Sequence, residues 1–254
     1  MKREQNFKMH NYQLLIEYDG TNFVGWQFQK NGLSIQDILE KKLKKILKKK
    51  VRLIGAGRTD KGVHAISQYA NFFIDKKIED KKYFLNSINF FLKSYLISVI
   101  DIKKKSQNFN SRYDAKERTY EYRIINRQAG LALNKNKAWH VKKKLDIKLL
   151  KQGAKLLKGV HNFSTFRASS CSASSPIRRM NNVKVKKRNS MIILQFKSKS
   201  FLQTQVRSMV GCLKYLSSKK WDLKKFKMVM KSKKRELCAP PAPACGLYLL
   251  KVRY

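Results

Sequence analysis

Apolar residues recur along this chain with two alternating periods, and the order in which those periods follow one another predicts its architecture. Tyr12 to Tyr18 is apolar-rich and stops at Asp19-Gly20, a strand running into a turn. Ser34, with Asp37 three residues on, opens a capping-box pattern. Behind it Ile35, Ile38, Leu39, Leu43, Ile46 and Leu47 fall on one face of a helix, with lysines on the other. Val51 to Ile54 and Gln68 to Ile74 read as strands, Tyr83 to Leu92 as a helix, and Tyr95 to Ile102 as a strand. The resulting order, β-α-β-β-α-β, is that of a ferredoxin-like split unit, with helices on one sheet face and the other left open for a ligand.

The charged stretch Lys103 to Ser111 reads as a boundary, predicting an N-terminal lobe over residues 1–105 and a C-terminal α+β lobe over 106–254. The second lobe repeats the theme less regularly. Strands are expected at Arg118 to Asn126, Val183 to Lys187, Met191 to Lys197 and Gly246 to Tyr254. Helices are expected at Asp146 to Lys158, Phe201 to Leu216 and Leu223 to Lys231. The fold class expected is α+β: two ferredoxin-like lobes, a mainly antiparallel sheet and a basic cleft between the lobes. No sequence repeat links the halves.

Charge narrows the class of partner. Lys and Arg number 58 against 16 Asp and Glu, a formal net charge of +42, so a polyanion is the expected partner and nucleic acid the commonest one. Lysine enrichment also follows from compositional drift of a genome, so the charge fixes the sign of the partner rather than the size of the binding patch. Cys171, Cys212, Cys238 and Cys245 form no C-x-x-C pair and have no histidine at metal-ligand spacing, which argues against zinc and for a reduced, intracellular protein. Met1 to His10 is basic and polar without an apolar segment behind it, and no run of about 18 apolar residues occurs. A cytoplasmic protein without a membrane span is expected.

Gly55-Ala-Gly-Arg-Thr-Asp-Lys-Gly-Val-His-Ala65 carries the most chemical information. Its glycines permit close backbone approach and positive φ on either side of Arg58 and Asp60, presenting a carboxylate on a tight loop at a strand end. The spacing is not that of a P-loop. Too few acids lie near Asp60 to hold the ions of a two-metal nuclease. Taken alone, Asp60 also suits a turn cap before Gly62.

Here the chain resembles the bacterial TruA-type family of tRNA pseudouridine synthases. The family's catalytic-loop signature is matched by Gly57-Arg-Thr-Asp-Lys-Gly-Val-His-Ala65, and its N-terminal signature by Glu17-Tyr-Asp-Gly-Thr-Asn-Phe-Val-Gly-Trp-Gln27. Four further blocks follow in order: Arg118-Thr-Tyr-Glu-Tyr-Arg123, His161-Asn-Phe-Ser-Thr-Phe-Arg167, Phe201-Leu-Gln-Thr-Gln-Val-Arg-Ser-Met-Val-Gly211 and Pro243-Ala-Cys-Gly-Leu-Tyr-Leu249. The resemblance implies isomerisation of uridine to pseudouridine at positions 38, 39 and 40 of the tRNA anticodon stem-loop, without metal, nucleotide or other cofactor, by a homodimer. It implies Asp60 as the catalytic carboxylate, and Tyr120, Arg58, Arg207 and Leu247 as substrate-binding residues. In those roles Tyr120 packs on the uracil, Arg58 enters the space a flipped base leaves, Arg207 is the ion partner of Asp60, and Leu247 lines the pocket. Ser169-Ser-Cys-Ser-Ala-Ser-Ser-Pro176 is looser than the family's loop at that place.

Without the resemblance, Tyr120 reads as a cross-strand core residue, Arg58 and Arg207 as surface cations, and Leu247 as a buried strand residue. His64 is expected to be packed or hydrogen-bonded, and the Asp19, Trp26 and Gln27 block to lie beneath the Asp60 loop as scaffolding. Two other readings remain: a non-catalytic RNA-binding or ribosome-associated protein, and a pseudouridine synthase acting on another RNA.

Overall fold

The computed structural model describes residues 9–254, so Met1 to Lys8 of the basic N-terminal segment lie outside the described residues. The fold is α+β, built from mainly antiparallel strands and helices, and the chain divides into two compact units. One comprises Met1–Ala115 with Tyr254, the other Lys116–Arg253.

In the first unit β1 (His10–Tyr18), α1 (Ile35–Leu47), β2 (Ile54–Gly55), β3 (His64–Ile74), α2 (Lys81–Leu92) and β4 (Ile97–Lys105) follow the expected β-α-β-β-α-β order. Strand β1 lies between β3 and β4, antiparallel to both, and β2 pairs with β3. Tyr12, Leu14, Ile16 and Tyr18, at alternate positions of β1, are all buried, as are Ile35, Ile38, Leu39 and Leu43 of α1 and Phe84, Ile88 and Leu92 of α2. Each such side chain contributes about 1.5–3 kcal/mol of burial. Ser34 caps α1, its hydroxyl accepting the Asp37 amide at 3.3 Å, and Lys48 closes the helix in the left-handed region at φ 57°.

The opposite face of this sheet is not left open along its length. Asn11 donates to the carbonyls of Ser106 and Phe109 at 2.9 and 2.8 Å, Asn71 donates to Asn11 at 3.0 Å, and the Ser111 amide donates to Asn71 at 2.8 Å. The segment after β4 is thus laid over two buried asparagines. Lys103 to Lys105 complete β4 against β1. Val51 and Leu53 are buried but form no strand. Glu40 accepts the Leu53 amide at 2.9 Å and Gln36 donates to the Leu53 carbonyl at 3.2 Å, so α1 side chains satisfy the backbone that a ladder would have used.

The second unit contains β5 (Glu117–Asn126), β6 (Trp139–Val141), α3 (Ile147–Leu156), β7 (Gly159–Asn162), β8 (Ile177–Arg188), β9 (Met191–Ser198), α4 (Gln205–Ser217), α5 (Leu223–Lys231) and β10 (Leu247–Arg253). Its strands run in the order β10-β5-β9-β8-β7, antiparallel throughout, with β6 added parallel to β5. Tyr122, Ile124, Ile192, Leu194, Phe196 and Leu249 are fully buried, as are Leu150 of α3 and Met209, Leu213 and Leu216 of α4. Helices α3 and α4 meet at Gly153, where a Cβ would stand 2.7 Å from the tips of Leu213 and Leu216.

Four elements of this unit differ from expectation, β6 being a strand where none is expected. Helix α4 starts at Gln205 rather than Phe201, because Thr204 is left-handed at φ 62°. Strand β8 starts at Ile177, six residues early, and residues 177–180 pair there with β7. Strand β7, also without an expected counterpart, runs into the beginning of the His161 to Arg167 block. Among the described residues, no helix is long and apolar enough to cross a membrane.

Candidate active site

The Asp60 loop is shaped by glycines and by backbone bonds to the segment between β1 and α1. Leaving β2, the Ala56 amide donates to Tyr69 at 2.7 Å. Fully buried Gln68 holds Gly57 from both sides, donating to its carbonyl at 2.6 Å and accepting its amide at 3.3 Å. The Trp26 amide donates to the Thr59 carbonyl at 3.1 Å, Gly25 bridges Asp60, and the Gly62 amide donates to Phe23 at 3.3 Å. The Val63 amide closes a turn on the Asp60 carbonyl at 3.1 Å, with Gly62 at φ 76°. Thr59 is buried, its hydroxyl 2.8 Å from that of Tyr18. Asp60 itself is half-buried, and Arg58 is exposed.

Several glycines permit this approach. A Cβ on Gly20 would lie 2.0 Å from the Val63 carbonyl oxygen, and one on Gly25, at φ 116°, would lie 2.6 Å from the Thr59 oxygen. On Gly55 it would meet the Trp26 indole at 2.5 Å, and that indole stacks on Tyr18 at 6.2 Å. Asp19 accepts from Thr21 within its own turn, and His64 Nδ1 lies 2.9 Å from the Asp19 carboxylate and 3.0 Å from the Gly20 amide. His64 is 1% exposed, a packed histidine joining the two segments. The loop therefore presents one accessible carboxylate from a backbone with little freedom to move it.

Tyr120, Arg207 and Leu247 belong to the second unit. Tyr120, on β5, is 7% exposed and meets the half-buried Phe201 ring edge-on, centroids 5.0 Å apart. Gln205, fully buried, accepts the Leu202 amide at 2.8 Å and so fixes the turn that carries Phe201 into α4. In the first turn of α4, Arg207 donates from Nε to the Ala242 carbonyl at 2.8 Å, and its own carbonyl accepts the Ala242 amide at 2.9 Å. Gly211, on the same flank, lets the strap through: its Cβ would stand 2.1 Å from the Pro240 oxygen.

Leu247, 6% exposed, opens β10 opposite Tyr122. Burial pushes the Tyr122 phenol far above its ordinary value, and its hydroxyl donates to the Pro243 carbonyl at 2.7 Å. Neither Tyr120, Arg207 nor Leu247 lines the open hollow of about 830 Å³ formed by Leu149 and residues 219–225.

The first unit thus brings Arg58 and Asp60 onto one loop, and the second brings Tyr120 together with Phe201 and fastens Arg207 to residues 240–242. Sequence reasoning missed that strap. Its only signal was Ala239-Pro-Pro-Ala-Pro243, a run that forms neither helix nor ladder but packs well as extended chain. Gln68, Phe201 and Gln205 also escaped notice, each being an ordinary residue until its partner is known. Among the described residues, no group of three or more His, Cys, Asp or Glu side chains is arranged to hold a metal ion.

The comparisons with known proteins agree with the blocks on which this geometry is built. The family model described as tRNA pseudouridine synthase matches residues 14–114 and 154–254. The chain belongs to that family. It is therefore an isomerase by kinship. The matched segments contain Arg58, Asp60, Arg207 and Leu247, while Tyr120 falls between them. The chain is 58% identical to "tRNA pseudouridine synthase A" of Pelagibacter ubique (strain HTCC1062) over 246 residues, 97% of this chain and 100% of that protein. It is 41% identical to the protein of the same name from Beijerinckia indica subsp. indica, covering 97% of this chain and 94% of the relative. With that of Parvibaculum lavamentivorans it shares 38% identity, over 97% and 100%.

Proposed function

We propose that this chain isomerises uridine to pseudouridine at positions 38, 39 and 40 of the tRNA anticodon stem-loop, with Asp60 as the catalytic carboxylate. The observation that carries the reading is the Asp60 loop. A half-buried carboxylate stands on backbone fixed by Gln68, Trp26 and Val63, inside a block that resembles the family's catalytic signature. The reaction breaks the N1–C1′ bond of uridine, forms a C5–C1′ bond, and moves the C5 proton away as N1 gains one. No atom is gained or lost overall, so one acid–base or nucleophilic group suffices. Asp60 has two routes open to it, covalent addition or removal of a ribose proton that lets the base detach.

The target uridine must leave its stack, at a cost of a few kcal/mol. Arg58, exposed at the loop tip, fills the space it leaves. Tyr120 packs on the uracil, with the Phe201 edge fixing its ring plane, and Arg207 and Leu247 complete the substrate contacts. The formal charge of +42 supplies the attraction for the phosphate backbone. The enzyme acts as a homodimer in the cytoplasm on this reading.

The test uses anticodon stem-loop transcripts with uridine at 38, 39 or 40, incubated with the protein in chelator without added nucleotide, and pseudouridine is located by mass spectrometry. Conversion at those positions is expected. RNA binding without conversion would instead make the protein a binding module, and conversion confined to other RNAs would move its target.

A further inference from the structure

A second cluster of reactive side chains lies in the second unit, where the strap crosses α4. Cys212 of α4 and Cys238, at the end of the short Arg235–Leu237 turn, have sulfurs 3.4 Å apart, and both are free thiols. Cys212 is completely buried, whereas Cys238 is half-buried and reachable. Arg235 donates to the Ser208 hydroxyl at 3.2 Å and to the Thr165 carbonyl at 3.3 Å, which anchors its guanidinium beside the pair. The strap continues from Cys238 through Pro240, pressed on Gly211, to Ala242, bonded twice to Arg207. Neither sulfur therefore has far to move.

We infer that Cys238 and Cys212 form a hydroperoxide-oxidised modification site, Cys238 being the attacking sulfur and Cys212 the resolving one. The environment sorts the two roles. The hydrogen bond from Cys212, with Arg235 and Ser208 alongside, holds the Cys238 thiol below its ordinary value. As the donor in that bond, and buried, Cys212 is pushed well above its own.

In the first step the Cys238 thiolate attacks a peroxide oxygen. An S–O bond forms, the O–O bond breaks, and the departing hydroxide takes a proton to become water. In the second the Cys212 sulfur attacks the Cys238 sulfur. An S–S bond forms, the S–O bond breaks, and the hydroxide leaves as water with the Cys212 proton. Two thiols and one hydrogen peroxide give one disulfide and two waters: each sulfur loses one electron and each peroxide oxygen gains one. The sulfurs must close to about 2.05 Å, a movement of about 1.4 Å that side-chain rotation and a slight approach of the strap provide.

The test does not depend on catalysis, so it stands apart from the assignment of Asp60. The full chain is treated with hydrogen peroxide, quenched with an alkylating reagent, digested and analysed by mass spectrometry. The expected product is a peptide pair joining Cys212 to Cys238, about 2 Da lighter than the two reduced peptides and separated by dithiothreitol. Cys171 and Cys245 stay alkylatable. In Cys212→Ala, Cys238 proceeds to the sulfinic acid; in Cys238→Ser, Cys212 remains reduced and is alkylated after denaturation. Full alkylation of both cysteines after treatment, sulfinic acid at Cys238 in the parent chain, or disulfides joining other cysteines would each overturn the inference.

Discussion

The Asp60 loop and the Arg207 helix are both fitted to their neighbours by a glycine, yet they are held by different numbers of segments. Gly20 admits the Val63 carbonyl, and further supports of the Asp60 loop come from Tyr18, from Phe23 to Trp26, and from Gln68 and Tyr69. Gly211 admits the Pro240 carbonyl, and Arg207 is bonded twice to Ala242 of the same strap. A loop held from several segments keeps its shape when one contact is lost. An arginine bonded to one returning strap follows that strap. One region supplies a carboxylate with little freedom, the other a cation whose orientation is tied to residues 240–242.

Removing the carboxylate is the strongest way to sharpen this contrast. Asp60→Ala lowers the single-turnover rate of pseudouridine formation by about 10⁴-fold, with melting temperature nearly unchanged. Gly20→Ala and Gly211→Ala come next. Each forces a methyl against a carbonyl oxygen, and calorimetry should show a loss of about 3 kcal/mol for both. The two differ in what else is lost: Gly20→Ala displaces the Asp60 loop, whereas Gly211→Ala frees Arg207 from the strap, which accelerated amide exchange at Ala242 would report. A smaller effect, about 30-fold in kcat/KM, is expected for Arg207→Lys, since an ammonium cannot both reproduce the Nε bond to Ala242 and leave a planar fork for other partners. Ser34→Ala, which touches only the α1 cap, costs about 1 kcal/mol in unfolding and leaves turnover unchanged.

Local chemistry made part of this legible in the sequence. Ser34 and Asp37 signal a cap within four residues, and the glycines around Asp60 signal a constrained loop whatever surrounds them. The order β-α-β-β-α-β follows from periodicity, and the structure keeps it. What stayed hidden depends on partners distant in sequence or on backbone conformation without a compositional mark. Thr204 delays α4 through a left-handed φ that nothing in Gln-Thr-Gln announces. Val51 to Ile54 satisfies the strand pattern, but the Leu53 amide and carbonyl bond Glu40 and Gln36 instead of a ladder. Strand β7 hides in a loop-like stretch because its pairing with β8 supplies the order. The polar cover on Asn11 and Asn71 is invisible because buried asparagines look like surface residues until their partners are drawn.

On the proposed function, the Asp60 carboxylate performs chemistry and does not merely cap a turn. Asp60→Asn tests it most directly, since the side chain keeps nearly its size while losing its charge. Binding of an anticodon stem-loop and formation of pseudouridine are to be measured on one preparation of this variant at fixed salt. Affinity within about threefold of the parent is expected, with no detectable pseudouridine. Parent-like conversion by Asp60→Asn would reduce the carboxylate to a turn cap.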